Sequence, residues 1–229
     1  MKVVKCFKLK SIVACGIVLV MTFVFLAIST VKKTNSSMLP YKIVLDAGHG
    51  GRDDGCSGVN GTKESEINLA ITKKIKDLLE DYGFEVTLTR KDEKGLYEED
   101  VDNYKLSDMA KRMEIIEKAK PNFVISIHQN SYLDSSQRGA QAFYQEGDEL
   151  GKSFAESMQT QLFAQLPNAR ASANKGDYYI LNETGYPAII VECGYLTNAE
   201  EEALLITDDY QTKVAYAIVC GVVKFFQVN

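Results

Sequence analysis

The chain has 229 residues, 45% of them hydrophobic and 25% charged, with only 4 Pro; this is the composition of a globular protein long enough for one sizeable domain. Residues 1–39 hold six Lys and no acid, so removing those six from the 26 basic residues leaves 20 against 31 acids in residues 40–229, a formal charge of −11. That acidity excludes a nucleic-acid partner, because phosphates need a basic face.

Ser11 to Val31 is uncharged and rich in Val, Ile, Leu and Phe. At about 1.5 Å per helical residue it matches the thickness of a bilayer core. The four Lys before it predict a cytoplasmic N-terminus and export of everything after residue 40. The run is longer than the roughly 7–15 apolar residues of a signal peptide, and Lys32 and Lys33 follow it, so residues 1–31 read as a signal anchor in preference to a cleaved signal peptide. Most of the apolar run follows Cys15, which argues against lipidation there. Residues 32–40 are polar, lack periodicity and end in Pro40, as a short linker would.

From Tyr41 onward short apolar runs alternate with longer amphipathic ones. Lys42 to Asp46, Phe84 to Thr89, Phe123 to His128, Ala140 to Tyr144, Tyr178 to Leu181 and Ala188 to Glu192 predict strands. Glu66 to Tyr82, Leu106 to Lys118, Leu150 to Leu166 and Tyr210 to Phe226 predict helices; in the first of these Ile67, Ile71, Ile75 and Leu78 recur at helical spacing. This alternation predicts a single α/β domain over residues 41–229, with a largely parallel or mixed central sheet flanked by helices. Lys91 to Tyr104 holds six acids and reads as a solvated loop. The three cysteines outside the anchor, Cys56, Cys193 and Cys220, are odd in number and irregularly spaced, so they predict free thiols or at most one bridge.

Chemistry concentrates around the two histidines. His49 follows the first predicted strand in Asp46-Ala47-Gly48-His49-Gly50-Gly51, and His128 ends the third in Ser126-Ile127-His128-Gln129-Asn130. The carboxyl ends of parallel strands share one edge of a sheet, so the two imidazoles can meet there. Gly48, Gly50 and Gly51 leave room for close approach. Two imidazoles need a third ligand, and a carboxylate is usual for zinc. Glu64 and Glu66 are both candidates, with Glu66 also readable as a first-turn acid favoured by the helix dipole. Glu192 closes an apolar predicted strand, where a lone acid is expensive to bury unless it is paired or bound. It reads as a general base; its bland alternative is a solvated strand-end acid.

The blocks IVLDAGHGG (Ile43 to Gly51), GTKESEINL (Gly61 to Leu69), FVISIHQN (Phe123 to Asn130), GAQAFY (Gly139 to Tyr144) and PAIIVECGYLTN (Pro187 to Asn198) resemble, in order, those of the zinc-dependent N-acetylmuramoyl-L-alanine amidases of the Amidase_3 family. The resemblance implies Zn2+ held by His49, Glu64 and His128, with Glu192 as the catalytic glutamate. It implies hydrolysis of the amide between N-acetylmuramic acid and L-alanine in peptidoglycan, at an extracytoplasmic, membrane-anchored or secreted location. Within the family the DAGHGG and VECG blocks look most like the CwlD type, which implies a role in forming muramic-δ-lactam in the spore cortex. Ala47 and Asp54 stand where the family often has Pro, and Gln129 replaces a small or apolar residue. These departures leave room for an activating protein partner.

Other readings stand beside this one. Cys193 with His128 could form a cysteine hydrolase of the cell wall, although strand alternation turns Cys193 to the opposite face. A non-catalytic wall-binding or regulatory module is a second alternative. Arg112 reads first as a structural ion pair and second as a substrate contact. Arg138, Arg170 and Lys175 could meet acidic stem-peptide groups or simply carry surface charge.

Overall fold

The structure, a computed structural model, describes residues 41–228. The expected signal anchor and linker lie outside the described residues. Among the described residues no helix is long and apolar enough to cross a membrane.

In chain order the elements are β1 Lys42–Ala47, α1 Glu64–Asp81, β2 Glu85–Leu88, α2 Tyr104–Ala119, β3 Phe123–Asn130, β4 Gln141–Tyr144, α3 Glu149–Gln165, β5 Asn174–Lys175, α4 Tyr179–Glu183, β6 Ala188–Tyr195, α5 Ala199–Leu205 and α6 Asp208–Val228. One six-stranded sheet runs in the order β2-β1-β3-β6-β4-β5. β2, β1, β3 and β6 are mutually parallel, whereas β4 runs antiparallel to β6 and carries β5 parallel at the edge. The sheet is therefore mixed, with its parallel half holding β1, β3 and β6 side by side.

Alternation along each strand sends side chains to two different layers. Ile43 and Leu45, then Phe123, Ile125 and Ile127, then Ile189, Val191 and Cys193 join the larger core with Ile71, Phe154 and Ile218 of α1, α3 and α6. Val44, Val124, Ala188 and Ile190 face the other way, against Ile116 of α2 and Ile180 and Leu181 of α4. Each fully buried Ile of α1 contributes about 1.5–3 kcal/mol of transfer free energy, so α1 is held by its apolar stripe. Asp148 and Asn198 cap the starts of α3 and α5 by accepting backbone N–H bonds, which fixes where those helices begin.

Two expectations need correction. Tyr178 to Leu181, read as a strand, forms the N-terminal turn of α4: Leu181 and Asn182 both donate to the Tyr178 carbonyl. Consecutive Ile180 and Leu181 are both buried, which one helical turn achieves and a strand pointing to two faces would not. A short apolar run carries no period by which to tell the two apart. The first helix also starts at Glu64 instead of Glu66, with Glu64 as its first residue. Residues 91–103 form no helix or strand, as expected of the acidic loop. Cys56, Cys193 and Cys220 are free thiols.

Candidate metal centre

The register of the parallel strands sets the site. His128 of β3 and Glu192 of β6 are direct partners, and partners in a parallel ladder project to the same face. That face is the α2 side of the sheet. Two residues beyond β1 the chain turns so that His49, at φ 61°, sits in left-handed backbone that a β-carbon disfavours. Arg112 and Arg90 hold this turn. Arg112 is fully buried and donates to Asp46 Oδ1 at 2.6 Å, Asp108 Oδ2 at 2.6 Å, the Ala47 carbonyl at 2.7 Å and the His49 carbonyl at 2.7 Å. Arg90 donates to the Ala47, Gly48 and Ser65 carbonyls, joining the turn to the start of α1. The structural reading of Arg112 therefore holds, with the added consequence that it fixes the backbone of His49.

Glu64 lies between the two rings. Its Oε1 is 2.9 Å from His128 Nδ1 and 3.3 Å from His49 Nε2, and the ring centroids are 4.9 Å apart. The carboxylate is itself fixed: Oε1 accepts from the Gln129 amide at 3.1 Å and from Asn68 Nδ2 at 3.1 Å, and Oε2 accepts from the Cys56 amide at 2.8 Å. Glu66, two residues on, is exposed and points away. One donor atom each from His49, Glu64 and His128 falls within 4.8 Å of the others, a grouping that could hold a metal ion.

Glycine matters at two positions. A β-carbon on Gly48 would lie 2.2 Å from His128 Cε1, and one on Gly55, at φ 74°, would lie 2.5 Å from Glu64 Oε2 and 2.8 Å from His49 Cδ2. Gly50 and Gly51, expected to serve the same purpose, instead make room for Arg90, Lys94 and Tyr97.

Electrostatics tie the groups together. Burial alone would raise the Glu64 carboxyl, but the hydrogen bonds and charges of His128 and His49 outweigh it and hold its pKa far below the usual range. Burial would lower His49, yet Glu64 and then Asp53 raise it to about 9. A cation placed among these three groups would replace the proton that His49 holds. Glu192 behaves oppositely: burial, opposed by His128 and reinforced by the Glu64 charge, pushes it up to about 7. Its Oε2 is buried without a hydrogen-bond partner among the described residues.

The residues present fit a divalent metal. Two imidazoles and one carboxylate are the donor chemistry of a catalytic zinc site, three protein ligands leaving a fourth position for water or substrate. The orphaned Glu192 oxygen is the kind of acceptor that such a water would satisfy.

Several contributors carried no sequence pattern. Asp53 accepts from His49 Nδ1 at 2.9 Å and so orients the ring from behind; only its position four residues after His49 in a glycine-rich turn could have suggested it. Asn68 falls one turn after Glu64 on the apolar stripe of α1, where a fully buried polar residue was the available clue. Arg138, Arg170 and Lys175 do not join the site: they contact Glu200, Gln137 and Glu146 respectively. Cys193 is buried in the core on the opposite face of β6, which removes it as a nucleophile beside His128.

Fold and donor set together define an α/β protein with a candidate metal centre, its reactive groups towards the carboxyl ends of parallel strands. Residues 43–224 match the family described as N-acetylmuramoyl-L-alanine amidase, Amidase_3, and the chain belongs to that family. It is an enzyme that acts on peptidoglycan. The germination-specific N-acetylmuramoyl-L-alanine amidase of Bacillus subtilis is 31% identical over 188 residues, covering 80% of this chain and 79% of that protein. The CwlD amidase of Clostridioides difficile, solved in complex with the GerS lipoprotein, superposes with a TM-score of 0.79 at 36% identity, covering 82% of this chain and 100% of that one. The catalytic domain of CwlV from Bacillus (Paenibacillus) polymyxa var. colistinus gives 0.71 at 33% identity, covering 82% and 99%. Within the family the chain thus resembles the CwlD type.

Proposed function

We propose that His49, Glu64 and His128 hold Zn2+ and that Glu192 is the general base for hydrolysis of the amide joining the lactyl group of N-acetylmuramic acid to L-alanine. The observation that carries this reading is the convergence of three donors within 4.8 Å beside a buried carboxylate that has one oxygen without a partner among the described residues and a pKa raised to about 7. When bound, zinc supplies Lewis acidity that polarises the scissile carbonyl and acidifies a water.

The protein's own groups do the remaining work. Asp53 fixes the His49 tautomer by accepting from Nδ1, which leaves Nε2 with a lone pair on the Glu64 side. Glu64, saturated by three amide donors, stays ionised. A carboxylate near pKa 7 can take a proton from the attacking water and return it to the leaving amine of L-alanine, because it is close to balance at neutral pH.

The likeness to a germination-specific amidase and to CwlD supports a role in the spore cortex, where removal of stem peptides permits muramic-δ-lactam formation. It equally supports extracytoplasmic action, reached through the hydrophobic N-terminal segment. The complex of CwlD with a lipoprotein supports a protein partner for this chain.

The purified full chain supplied with zinc is expected to release new L-alanine amino termini from peptidoglycan. Glu192→Ala should abolish release while zinc remains bound; continued turnover in that variant removes Glu192 from the mechanism. Loss of activity in chelator, together with resistance to thiol alkylation, separates this reading from a cysteine hydrolase. A chain that binds zinc and glycan yet never cleaves is the wall-binding module instead.

A further inference from the structure

A cavity of about 280 Å3 opens beside His49 and His128 and runs back between α2 and α4 on the Val44 side of the sheet. At the small end of ligand pockets, which span about 300–1,000 Å3, it suits one ring better than an extended chain. Four tyrosines line it, Tyr97 and Tyr104 on one wall and Tyr178 and Tyr179 on the other, with Met109 and Ile180 between. Tyr97 and Tyr104 stack edge to face at 5.5 Å, and Tyr178 packs against Phe143 at 5.7 Å, so three of the rings are held in place. Tyr179 is 46% exposed at the mouth.

The charged groups of this cavity are already engaged with one another. Lys105 lies 3.1 Å from Asp53, which also meets His49, and Arg112 pairs with both Asp46 and Asp108. Among the described residues no unpaired cation there greets a carboxylate, and no unpaired acid greets an amine. Aromatic faces with phenolic hydroxyls remain, and these suit a neutral, polyhydroxylated ring, whose C–H faces pack on aromatic rings while its hydroxyls and acetamido group hydrogen-bond to the phenols.

We propose that this tyrosine-lined cavity is the subsite for the N-acetylhexosamine ring of the glycan, and that the charged stem peptide leaves the metal centre by a different side. The inference rests on the proposed function, since it takes the scissile amide to lie at His49, His128 and Glu192. The covalent structure of the substrate supports it: the reacting carbonyl belongs to the lactyl group carried directly on the sugar ring, so the ring must sit immediately next to the two histidines. The cavity begins there.

The test uses the full chain and two metal-independent probes, neutral N-acetylglucosamine trimer and a free L-alanyl-γ-D-glutamyl stem peptide, with binding followed by tyrosine fluorescence, which is uncomplicated because the chain has no Trp. Tyr179→Ala is expected to weaken trimer binding by roughly tenfold, the loss of one stacked ring, while Tyr179→Phe, which keeps the ring and loses only the hydroxyl, weakens it less, and peptide binding is unchanged in both. Tyr97→Ala, in the opposite wall, should weaken the trimer similarly, with thermal melting confirming that each variant folds. Trimer affinity that is equal in wild type, Tyr179→Ala and Tyr97→Ala overturns the proposal, as does a loss confined to the peptide. An enzyme that cleaves peptidoglycan but whose glycan affinity ignores the tyrosines overturns this subsite alone. Tyrosine-dependent glycan binding without any peptide release would instead overturn the amidase chemistry proposed above.

Discussion

Asp53 Oδ2 lies 2.9 Å from His49 Nδ1, on the ring edge opposite the nitrogen that faces Glu64. A carboxylate behind a ligating imidazole fixes its tautomer and raises its basicity, and removing one typically costs about 10–100-fold in metal affinity. Asp53→Ala is therefore expected to weaken zinc binding by about that factor while the fold persists. Competition with a chromophoric chelator measures it; unchanged affinity would show that His49 needs no support from Asp53.

Gly48 permits the His128 ring to occupy its place, since a β-carbon there would meet the ring at 2.2 Å. Gly48 has no positive φ, so alanine is acceptable to the backbone and the conflict is purely with the ring. Gly48→Ala should displace His128 and reduce zinc affinity at least as much as Asp53→Ala, with a smaller effect on melting temperature. The same chelator titration and a thermal melt separate the two effects.

Glu192 is raised to about 7 chiefly by burial, and it must be ionised to accept a proton. The acid limb of kcat is expected at or below about pH 7, because a bound cation favours the charged form, and the limb should vanish with the residual rate of Glu192→Gln. The stability consequence has a definite sign. A carboxyl whose folded pKa is raised favours the fold below its unfolded pKa, near 4.5, and loses that contribution as pH rises through about 7. The metal-free Glu192→Gln variant should thus melt higher than wild type at pH 8 and close to it at pH 4.

Asp46 shows the reverse. Burial raises it, but Arg112, Ser126 and Thr89 together hold it down to about 2 from 3.8. Its contribution is complete above about pH 4 and lost as pH falls towards 2. Denaturant titrations across this window should show a loss of stability that is missing in Asp46→Asn. Arg112→Met leaves two buried carboxylates without their cation and should cost about 3–5 kcal/mol at neutral pH. Lysine at 112 cannot recover this, because no ammonium reproduces the four bonds of a planar guanidinium fork.

Cys193 packs in the core, and the Cys56 thiol donates to the Gln129 and Asn130 carbonyls while its amide donates to Glu64. Burial pushes the Cys56 thiol up to about 12. Neither is a thiolate at neutral pH, so iodoacetamide should leave activity intact, and Cys193→Ala should cost some stability but no turnover number.

Long amphipathic segments were legible because their period is printed in the chain: Ile67, Ile71 and Ile75 define α1, and the helix exists where that stripe does. The strands β1, β3 and β6 were equally clear as apolar runs. Their carboxyl ends place His49, His128 and Glu192 towards one sheet edge. Tyr178 to Leu181 failed for want of length, four residues being too few to reveal a period. The antiparallel insertion of β4 beside β6 was also hidden, because strand direction leaves no mark in local composition.

Sequence by itself determined the α/β class, the two histidines, the apolar strand that carries Glu192 (which runs on to Tyr195 instead of closing at Glu192) and, through its motif blocks, the family. Tertiary structure placed Glu64 between the two imidazoles and left Glu66 exposed, because facing direction at the start of a helix depends on where that helix docks. It also supplied Asp53, Asn68 and Arg112, whose roles come from contacts across 4 to 66 residues of chain. Such partners obey distance in space, and only folding converts separation along the chain into distance.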